Sequence, residues 1–396
     1  KLLDIIRRTL TEKRYMLQKY TQTYRSRDRV KRNFTRRAFA DDDHQHFLSI
    51  ATDLATSLRH AVFTDQVVHT FEERKELLAL IEEHISSHIV EIGGNFYKQK
   101  VGIPQGSVIS TILCNFFYED LESSSRFDSM RGPAQLLLRY IDDYFFVSTS
   151  LENAKQFLAM MNEGHPEYGC FISKEKTETN FSREEAEGHL PSKKIIHWCG
   201  LLINTTNLDV SVDSSRHQGT RVADSLTVHK GRQPGSNFRH KILSMATSKN
   251  HLLFMDTTFN SEFTVYSNIY ENFLMMAMKV VQYLKDWNTH TLKHRTFILT
   301  TLKGGFLYSY RGLQNLTKGS LADNIGAQCT VRKEVFLWFG YQALRHVLLK
   351  KRAHWREFYT EIEAELKKPR YRSFAHQPKF VRVLRVGEQR LKGIVF

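Results

Sequence analysis

The sequence predicts an α+β fold with a helical front, a mixed middle carrying antiparallel strands, and an all-helical end. Three observations carry that reading. Short β-branched and aromatic runs bounded by Gly and Pro are confined to about residues 89–212. Beyond about Asn237, apolar residues recur at helical spacing over long stretches. Only seven prolines occur in 396 residues, so few long loops or Pro-rich linkers are expected. At this length two or three domains are the default, and the natural divisions are 1–88, 89–212 and 213–396.

In the front, Leu2, Leu3, Ile6, Leu10, Met16, Leu17 and Tyr20 keep a roughly helical spacing. Glu72 to Val90 reads as an amphipathic helix with Leu77, Leu78, Ile81, Ile85 and Ile89 on one stripe. Between them lies a basic segment, Arg25 to Arg37, with Tyr24, Phe34 and Phe39 nearby or interleaved. In the middle, Gln135 to Ile141, Tyr144 to Thr149 and Trp198 to Ile203 read as strands, and Ser110 to Leu121 as a helix. The end reads as helices over Phe238 to Ala246, Phe263 to Leu284, His294 to Leu302, Val331 to Leu349 and Trp355 to Leu366. Phe380 to Val386 fits either helix or a short strand.

Lys and Arg total 57 against 42 Asp and Glu, a formal net charge of +15. That excess points to a polyanionic partner, most often nucleic acid, with a merely soluble basic protein as the alternative. No run of about 18 apolar residues exists to span a membrane. Cys114, Cys170, Cys199 and Cys329 are scattered, with no Cys-x-x-Cys pair. A disulfide scaffold is thereby excluded, and a reducing compartment fits. The chain opens on Lys1 without a signal-peptide pattern, as expected of a fragment or a processed chain.

The most informative stretch runs from Leu136 to Val147, two apolar strands interrupted by Asp142-Asp143. It reads as a tight hairpin with carboxylates at its tip. Adjacent acids repel and raise at least one pKa unless a cation sits beside them. A divalent metal pair that clamps the attacking and leaving oxygens of a phosphoryl transfer explains them. An ordinary water-exposed Asp-Asp turn is the competing reading of the dipeptide alone. Side chains of adjacent residues diverge along a strand, so a third carboxylate from elsewhere is needed to complete a two-metal site.

Tyr140-Ile141-Asp142-Asp143 resembles motif C of reverse transcriptases, the palm hairpin that binds catalytic magnesium. Upstream, Gln99 to Ser107, with Gly102, Ile103, Pro104, Gln105 and Gly106, is similar to motif B. There, Gly102 and Gly106 permit close backbone approach, Pro104 stiffens the turn, and Ser107 is placed to start the following helix. Pro166 to Cys170 and Ser173 to Phe181 resemble the motif D region of telomerase reverse transcriptases. Trp198 to Asn204 resembles motif E, the primer grip. Leu2 to Leu10 resembles the helix just after motif A, and Asp213 to Lys241 the thumb loop and start of the thumb helix. The resemblance is close from Phe96 to Asp209 and diffuse over the flanks.

The resemblance implies a reverse-transcriptase-like palm at 89–212, a helical fingers insertion at 1–88 and an all-α thumb at 213–396. It implies an RNA-directed DNA polymerase of telomerase type, nuclear and telomeric, using two Mg²⁺ ions. Its partners would be telomerase RNA, a telomeric DNA primer in an RNA–DNA hybrid, deoxynucleoside triphosphates and the rest of the telomerase protein, with no membrane. Asp142 and Asp143 would be metal ligands, and Lys176 the acid for the pyrophosphate leaving group. Gln99, Gly102, Ile103, Pro104, Gln105, Gly106 and Ser107 would line the nucleotide and template pocket. Trp198, Cys199 and Gly200 would hold the primer end, and Lys230, Arg232, Asn237, Arg239 and Lys241 its phosphates.

Motifs 1, 2 and A have no counterpart in these residues, and the motif A aspartate is expected upstream of Lys1. Asp4 imitates it but reads better as a helix-surface residue, and Asp41 to Asp43 as an exposed acidic loop. The fragment is therefore expected to carry most of the site without completing it. Two other readings remain: a group II intron or retroelement reverse transcriptase, and a non-catalytic module that binds RNA–DNA hybrid.

Overall fold

An even spacing, compatible with helix and strand alike, resolves into sheet at the front of the chain. The computed structural model describes residues 1–26, 29–40, 47–57, 60–65, 70–181, 192–228, 231–285, 293–318 and 325–395. Helix α1 (Leu2–Thr9) ends at Leu10, and β1 (Arg14–Ser26) follows. Along β1, Met16, Gln18, Tyr20 and Gln22 are buried in alternation. The pair Met16 and Tyr20 is four apart, which satisfies both the 3.6 and the 2.0 period. The threonines and tyrosines between them favour strand.

β1 pairs antiparallel along its length with β2 (Arg29–Ala40). Its other edge holds β3 (Ala61–Asp65) and β4 (Thr70–Glu73). The helical front expected for 1–88 is thus corrected to helices plus a four-stranded antiparallel sheet. One face of that sheet carries α2 (Phe47–Ser57), with Ile50 buried and Phe47 6.4 Å from the Tyr20 ring. The helix expected over Glu72 to Val90 is α3 (Arg74–Ser86), because Glu72 and Glu73 are taken by β4 and Ile89 and Val90 by the next strand. That strand, β5 (Ile89–Ile92), pairs with β6 (Asn95–Lys98) around Gly93 and Gly94, both at positive φ.

Helices α4 (Ser110–Glu122) and α5 (Leu151–Glu163) support the hairpin of β7 (Gln135–Tyr140) and β8 (Asp143–Ser148). Leu121, Phe127, Met160 and Met161 form the core beneath it, with Leu137 and Tyr144 packed against them. Ser150 caps α5 by accepting from the Asn153 amide. These elements belong to the first of two compact units, Lys1–Lys174.

The second unit, Glu175–Phe396, begins with the antiparallel sheet of β9 (Ile195–Trp198), β10 (Leu201–Asn204) and β11 (Val210–Val212). The run from Trp198 to Ile203, expected as one strand, turns at Cys199 and Gly200. Helices α6 (Pro234–Thr247), α7 (Leu252–Met255), α8 (Glu262–Lys285) and α9 (Arg295–Leu316) follow. α10 (Lys333–Leu349), α11 (Arg356–Leu366), α12 (Pro369–Arg372) and α13 (Pro378–Arg390) complete it. The undecided segment Phe380 to Val386 is helix, with Phe380 and Val383 buried.

α8 is the axis of this unit, buried on nearly every side. Asp209, just before β11, sets its start. The Asp209 carboxylate accepts from the Ser261 amide at 2.7 Å, the Ser261 hydroxyl at 2.6 Å and the Thr264 hydroxyl at 2.7 Å. A carboxylate at a helix N-terminus satisfies free amides and opposes the helix dipole. At the far side, Gly340 of α10 allows contact with Phe306 of α9; a Cβ there would lie 2.9 Å from the ring.

Glu365 at the end of α11 is 4% exposed and accepts from Lys303 at 3.0 Å, Lys368 at 2.8 Å and Arg370 at 2.6 Å. Burial would raise its pKa, but the three cations prevail and pull it down to about 2. A neutral Gln cannot balance three cations, so Glu365→Gln is expected to lower the thermal midpoint at pH 7. The folded-state pKa is depressed, so this stabilisation is complete above about pH 4.5 and is lost as pH falls towards 2. Thermal melts of the Gln variant should lack that acid-dependent component; identical pH profiles for both proteins would contradict the assignment.

Candidate active site

Asp142 and Asp143 stand at the tip of the β7–β8 hairpin, where Tyr140 pairs with Asp143 around a two-residue loop, Ile141 and Asp142. Ile141 has φ 60°. Positive φ at only the first loop residue is the type II′ pattern, which favours Gly there. A β-branched residue in that region costs about 1–3 kcal/mol and persists only where its surroundings hold it.

Arg139 does the holding. Its guanidinium donates to the Ile141 carbonyl at 2.9 Å and to the Asn115 side chain at 3.3 Å, and its Nε bonds the Glu122 carboxylate. It also lies 5.0 Å from the centre of the Tyr118 ring. Glu122 accepts in addition from the Tyr144 hydroxyl at 2.9 Å. Burial first, and then Glu122, push the Tyr144 phenol far above its ordinary value, so it remains a donor. The tip is therefore fastened to α4 by Asn115 and Glu122. Asp142 and Asp143 are both exposed. The Asp142 charge reaches α4, where burial and then Asp142 raise the Cys114 thiol.

The loop before α4 is braced from within. Gly102 and Gly106 hold φ of 88° and 81°. The Gln99 side chain donates to the carbonyls of Val101 at 2.9 Å and Ile103 at 3.3 Å, so it shapes the loop backbone. Pro104 is buried, and its carbonyl accepts from the Ser110 hydroxyl. Gln105 and Gly106 face solvent. α4 begins at Ser110, three residues beyond Ser107; the Ser107 hydroxyl accepts from the Ile109 amide at 3.4 Å, its carbonyl accepts from the Ser110 amide at 3.2 Å, and the hydroxyl also pairs with His84 Nε2 of α3 at 2.8 Å.

In the second unit, Lys176 is exposed and makes no ion pair among the described residues. Its neighbour Glu178 takes the contacts, from Lys193 at 2.5 Å, the His197 amide at 2.7 Å and His197 Nδ1 at 3.0 Å. Burial opposes ionisation of Glu178, but these donors outweigh it and lower its pKa. Trp198 closes β9, and Cys199 and Gly200 turn at φ 48° and 82°, the two-residue type I′ pattern. The positive φ favours Gly at 200; a Cβ there would also meet the Arg216 guanidinium at 2.8 Å, the far end of an exposed side chain that can give way.

Arg232 and Arg239 are exposed and Asn237 and Lys241 half-buried around α6, whose Phe238 and Ile242 anchor it in the core. Lys230 lies outside the described residues. Lys241 lines a cavity of about 170 Å³ with Ser225, Ser244, Ser248, Asn272 and Lys279. Burial, then the charges of Lys241 and Lys249, lower the Lys279 pKa. Burial, then Lys279, Lys249 and Arg216, lower that of His217. The sequence singled out Lys241 alone from this crowd. Lys279 hides in an apolar helical run, Met278-Lys279-Val280, and Arg216 and His217 lie in a 3₁₀ turn within the segment that resembles the thumb loop, where nothing in the resemblance singled them out.

Among the described residues, no three His, Cys, Asp or Glu side chains gather as a metal-binding group. Asp4 pairs with Arg7 at 3.3 Å along the same helix, the helix-surface role expected of it. Asp41 to Asp43 lie outside the described residues. No helix among those described is long and apolar enough to cross a membrane.

Two family models match the chain in tandem. One, described as reverse transcriptase (RNA-dependent DNA polymerase), covers residues 42–203; the other, telomerase reverse transcriptase, C-terminal extension, covers 236–363. The chain belongs to the telomerase reverse transcriptase family. Telomerase reverse transcriptase of Bos taurus is 36% identical over 290 residues, covering 70% of this chain and 26% of that protein. The Rattus norvegicus relative is 33% identical over 367 residues, covering 89% of this chain and 32% of that one. The Oryza sativa relative is 30% identical, covering 80% and 26%. The chain thus spans between a quarter and a third of the length of these relatives. A solved telomerase of Candida albicans aligns over 91% of this chain and 53% of that one, at 14% identity and a TM-score of 0.48.

The bracing by Arg139 is open to direct measurement. Arg139→Met is expected to speed amide hydrogen exchange over residues 140–144 by about tenfold or more, equivalent to about 1.4 kcal/mol of local stability. Exchange in α8 should not change. Unaltered exchange at the tip would show that the turn holds itself.

Proposed function

We propose that this chain carries the palm and thumb of an RNA-directed DNA polymerase of telomerase type, which adds deoxynucleotides to chromosome 3′ ends on an RNA template. In this reading 1–88 is the fingers insertion, 89–212 the palm and 213–396 the thumb and C-terminal extension, and the protein works in the nucleus at telomeres. The observation that carries it is the pair Asp142 and Asp143 on a strained, braced tip, with the Gln99 to Ser107 loop leading into the helix that braces it.

The donor set fits Mg²⁺, a hard cation commonly held by one or two carboxylates together with substrate phosphates and water. When bound, it would neutralise charge on the transferring phosphoryl group and activate the attacking oxygen. Asp142 is the principal ligand, and Asp143 the second acid. Gln105 and Gly106 present an open edge of loop to the incoming nucleotide, while Gln99 keeps Gly102, Ile103 and Pro104 in shape. Lys176 donates a proton to the pyrophosphate leaving group.

On the primer side, Trp198, Cys199 and Gly200 offer a rigid turn to the 3′ end. Lys230, Arg232, Asn237, Arg239 and Lys241 take phosphates, and Lys279 and Lys249 extend that set. Phosphate contacts position a duplex without reading its sequence. The partners are telomerase RNA, a telomeric DNA primer, deoxynucleoside triphosphates and the remainder of the telomerase protein.

Two carboxylates on one hairpin leave a two-metal site incomplete, and positioning and charge neutralisation supply nearly all of the catalysis in phosphoryl transfer. This chain by itself is therefore expected to bind an RNA–DNA hybrid and to extend no primer. In the complete enzyme, Asp142→Ala should reduce extension far below a tenth of wild type, a barrier increase above about 1.4 kcal/mol, with the fold intact by circular dichroism. Retention of a tenth or more would overturn the metal assignment. Magnesium-dependent extension by this chain alone, abolished by Asp142→Ala, would place the third carboxylate within these residues.

A further inference from the structure

The basic segment that the polymerase reading leaves unused is one strand of a sheet whose two faces differ sharply. Met16, Gln18, Tyr20 and Gln22 of β1 are buried on the α2 side. Residues directly opposite one another across a ladder share a face. The register therefore places Lys19 with Arg36, Thr21 with Phe34, Thr23 with Arg32, and Arg25 with Val30 on the other side. From β3, Thr64 and Val62 join that face opposite Thr21 and Thr23.

That outer face is charged, aromatic and uncovered. Phe34 is 73% exposed, Val30 73% and Val62 64%. Lys19, Arg32 and Arg36 make no ion pair among the described residues. The carboxylate assigned to this face by the register is Glu72, far from Phe34 and opposite Tyr15; Asp65, opposite Tyr20, belongs to the packed face. Lys19 and Arg36 stand directly across from each other, an arrangement that destabilises a sheet. Such repulsion is relieved by a polyanion. Arg32, Phe34 and Arg36 follow one another on the face at about 7 Å intervals, two residues of strand rise.

We propose that this outer face binds single-stranded nucleic acid, with phosphates on Lys19, Arg32 and Arg36 and a base stacked on Phe34. Charge selects a polyanion, and the exposed ring selects one with free bases, because a base paired inside a duplex has no face to offer a side chain. Thr21, Thr23 and Thr64 supply hydroxyls that suit either sugar. The surface needs neither Asp142 nor a metal, so it stands or falls separately from the polymerase reading.

The test uses the whole chain and labelled oligonucleotides of about 15 nucleotides: oligo(dT), oligo(U), and a blunt DNA duplex, followed by fluorescence polarisation across a salt series. Phe34→Ala is expected to weaken single-strand binding between about 5- and 150-fold, since stacking contributes about 1–3 kcal/mol per base. Phe34→Tyr should restore it. Arg32→Gln and Arg36→Gln should each lower the salt slope by about 0.7. A stronger effect on oligo(U) than on oligo(dT) would name RNA as the source, and the reverse DNA. Because an unfolded variant would mislead, a thiouridine-substituted oligonucleotide is also photocrosslinked to the wild-type chain, with a crosslink expected on the peptide that contains Phe34. The proposal is overturned by wild-type affinity in Phe34→Ala, by equal losses on duplex, by displacement with polyglutamate as readily as with oligonucleotide, or by crosslinks confined to other peptides.

Discussion

One guanidinium decides whether the two aspartates share a defined position. Ile141 occupies backbone space that its β-branched side chain disfavours, and the Arg139 bond to its carbonyl is what the sequence supplies in compensation. Arg139 in turn is fixed by Asn115 and Glu122 of α4, and Glu122 by the Tyr144 hydroxyl on the second strand of the same hairpin. The circuit closes on itself, so α4, β7 and β8 move together or not at all. Such fastening matters for phosphoryl transfer, where small displacements of a positioned group are costly. It also explains why a tip exposed to water can still be rigid.

The parts legible in the sequence were those with strong local chemistry. Asp142-Asp143 between two apolar runs announced a hairpin, and the hairpin is there. The long apolar periodicities from Phe263 and Val331 announced helices, and α8 and α10 are the most buried of the long helices. The front misled because Met16 and Tyr20 sit four residues apart, a spacing that two periods share. Trp198 to Ile203 misled because a Cys-Gly turn lacks the Asn or Asp that usually marks a type I′ loop; Gly200 was the signal available. Arg139 was visible in the motif, but nothing in a sequence says that a strand arginine will bond the carbonyl two residues on. Lys279 was invisible for a different reason: a lone lysine in an apolar helix gives no hint of which charges gather around it.

Unpaired like charges recur in both compact units and point the same way. In the second, burial and then the charges of Lys241 and Lys249 lower the Lys279 pKa, and Lys241 and Lys279 line one small cavity. In the first, Lys19 faces Arg36 across a ladder. Like charges placed this closely cost stability in the free chain, and a bound anion would offset that cost. A net charge of +15 spread evenly would give only weak, indiscriminate attraction. Concentrated beside a turn, a cavity or an exposed ring, the same charge gains geometry.

The central claim is that the β7–β8 tip is a preformed cation site. Manganese broadening of isoleucine methyl resonances in the chain tests it directly, because Ile141 lies between the strand end and both carboxylates. At low Mn²⁺ the Ile141 methyl signal should broaden before those of Ile6 and Ile242, which are buried elsewhere in the structure. Excess Mg²⁺ should restore it, and Asp142→Asn should abolish the effect. Uniform broadening of all three signals, or selective broadening that survives Asp142→Asn, would contradict the account.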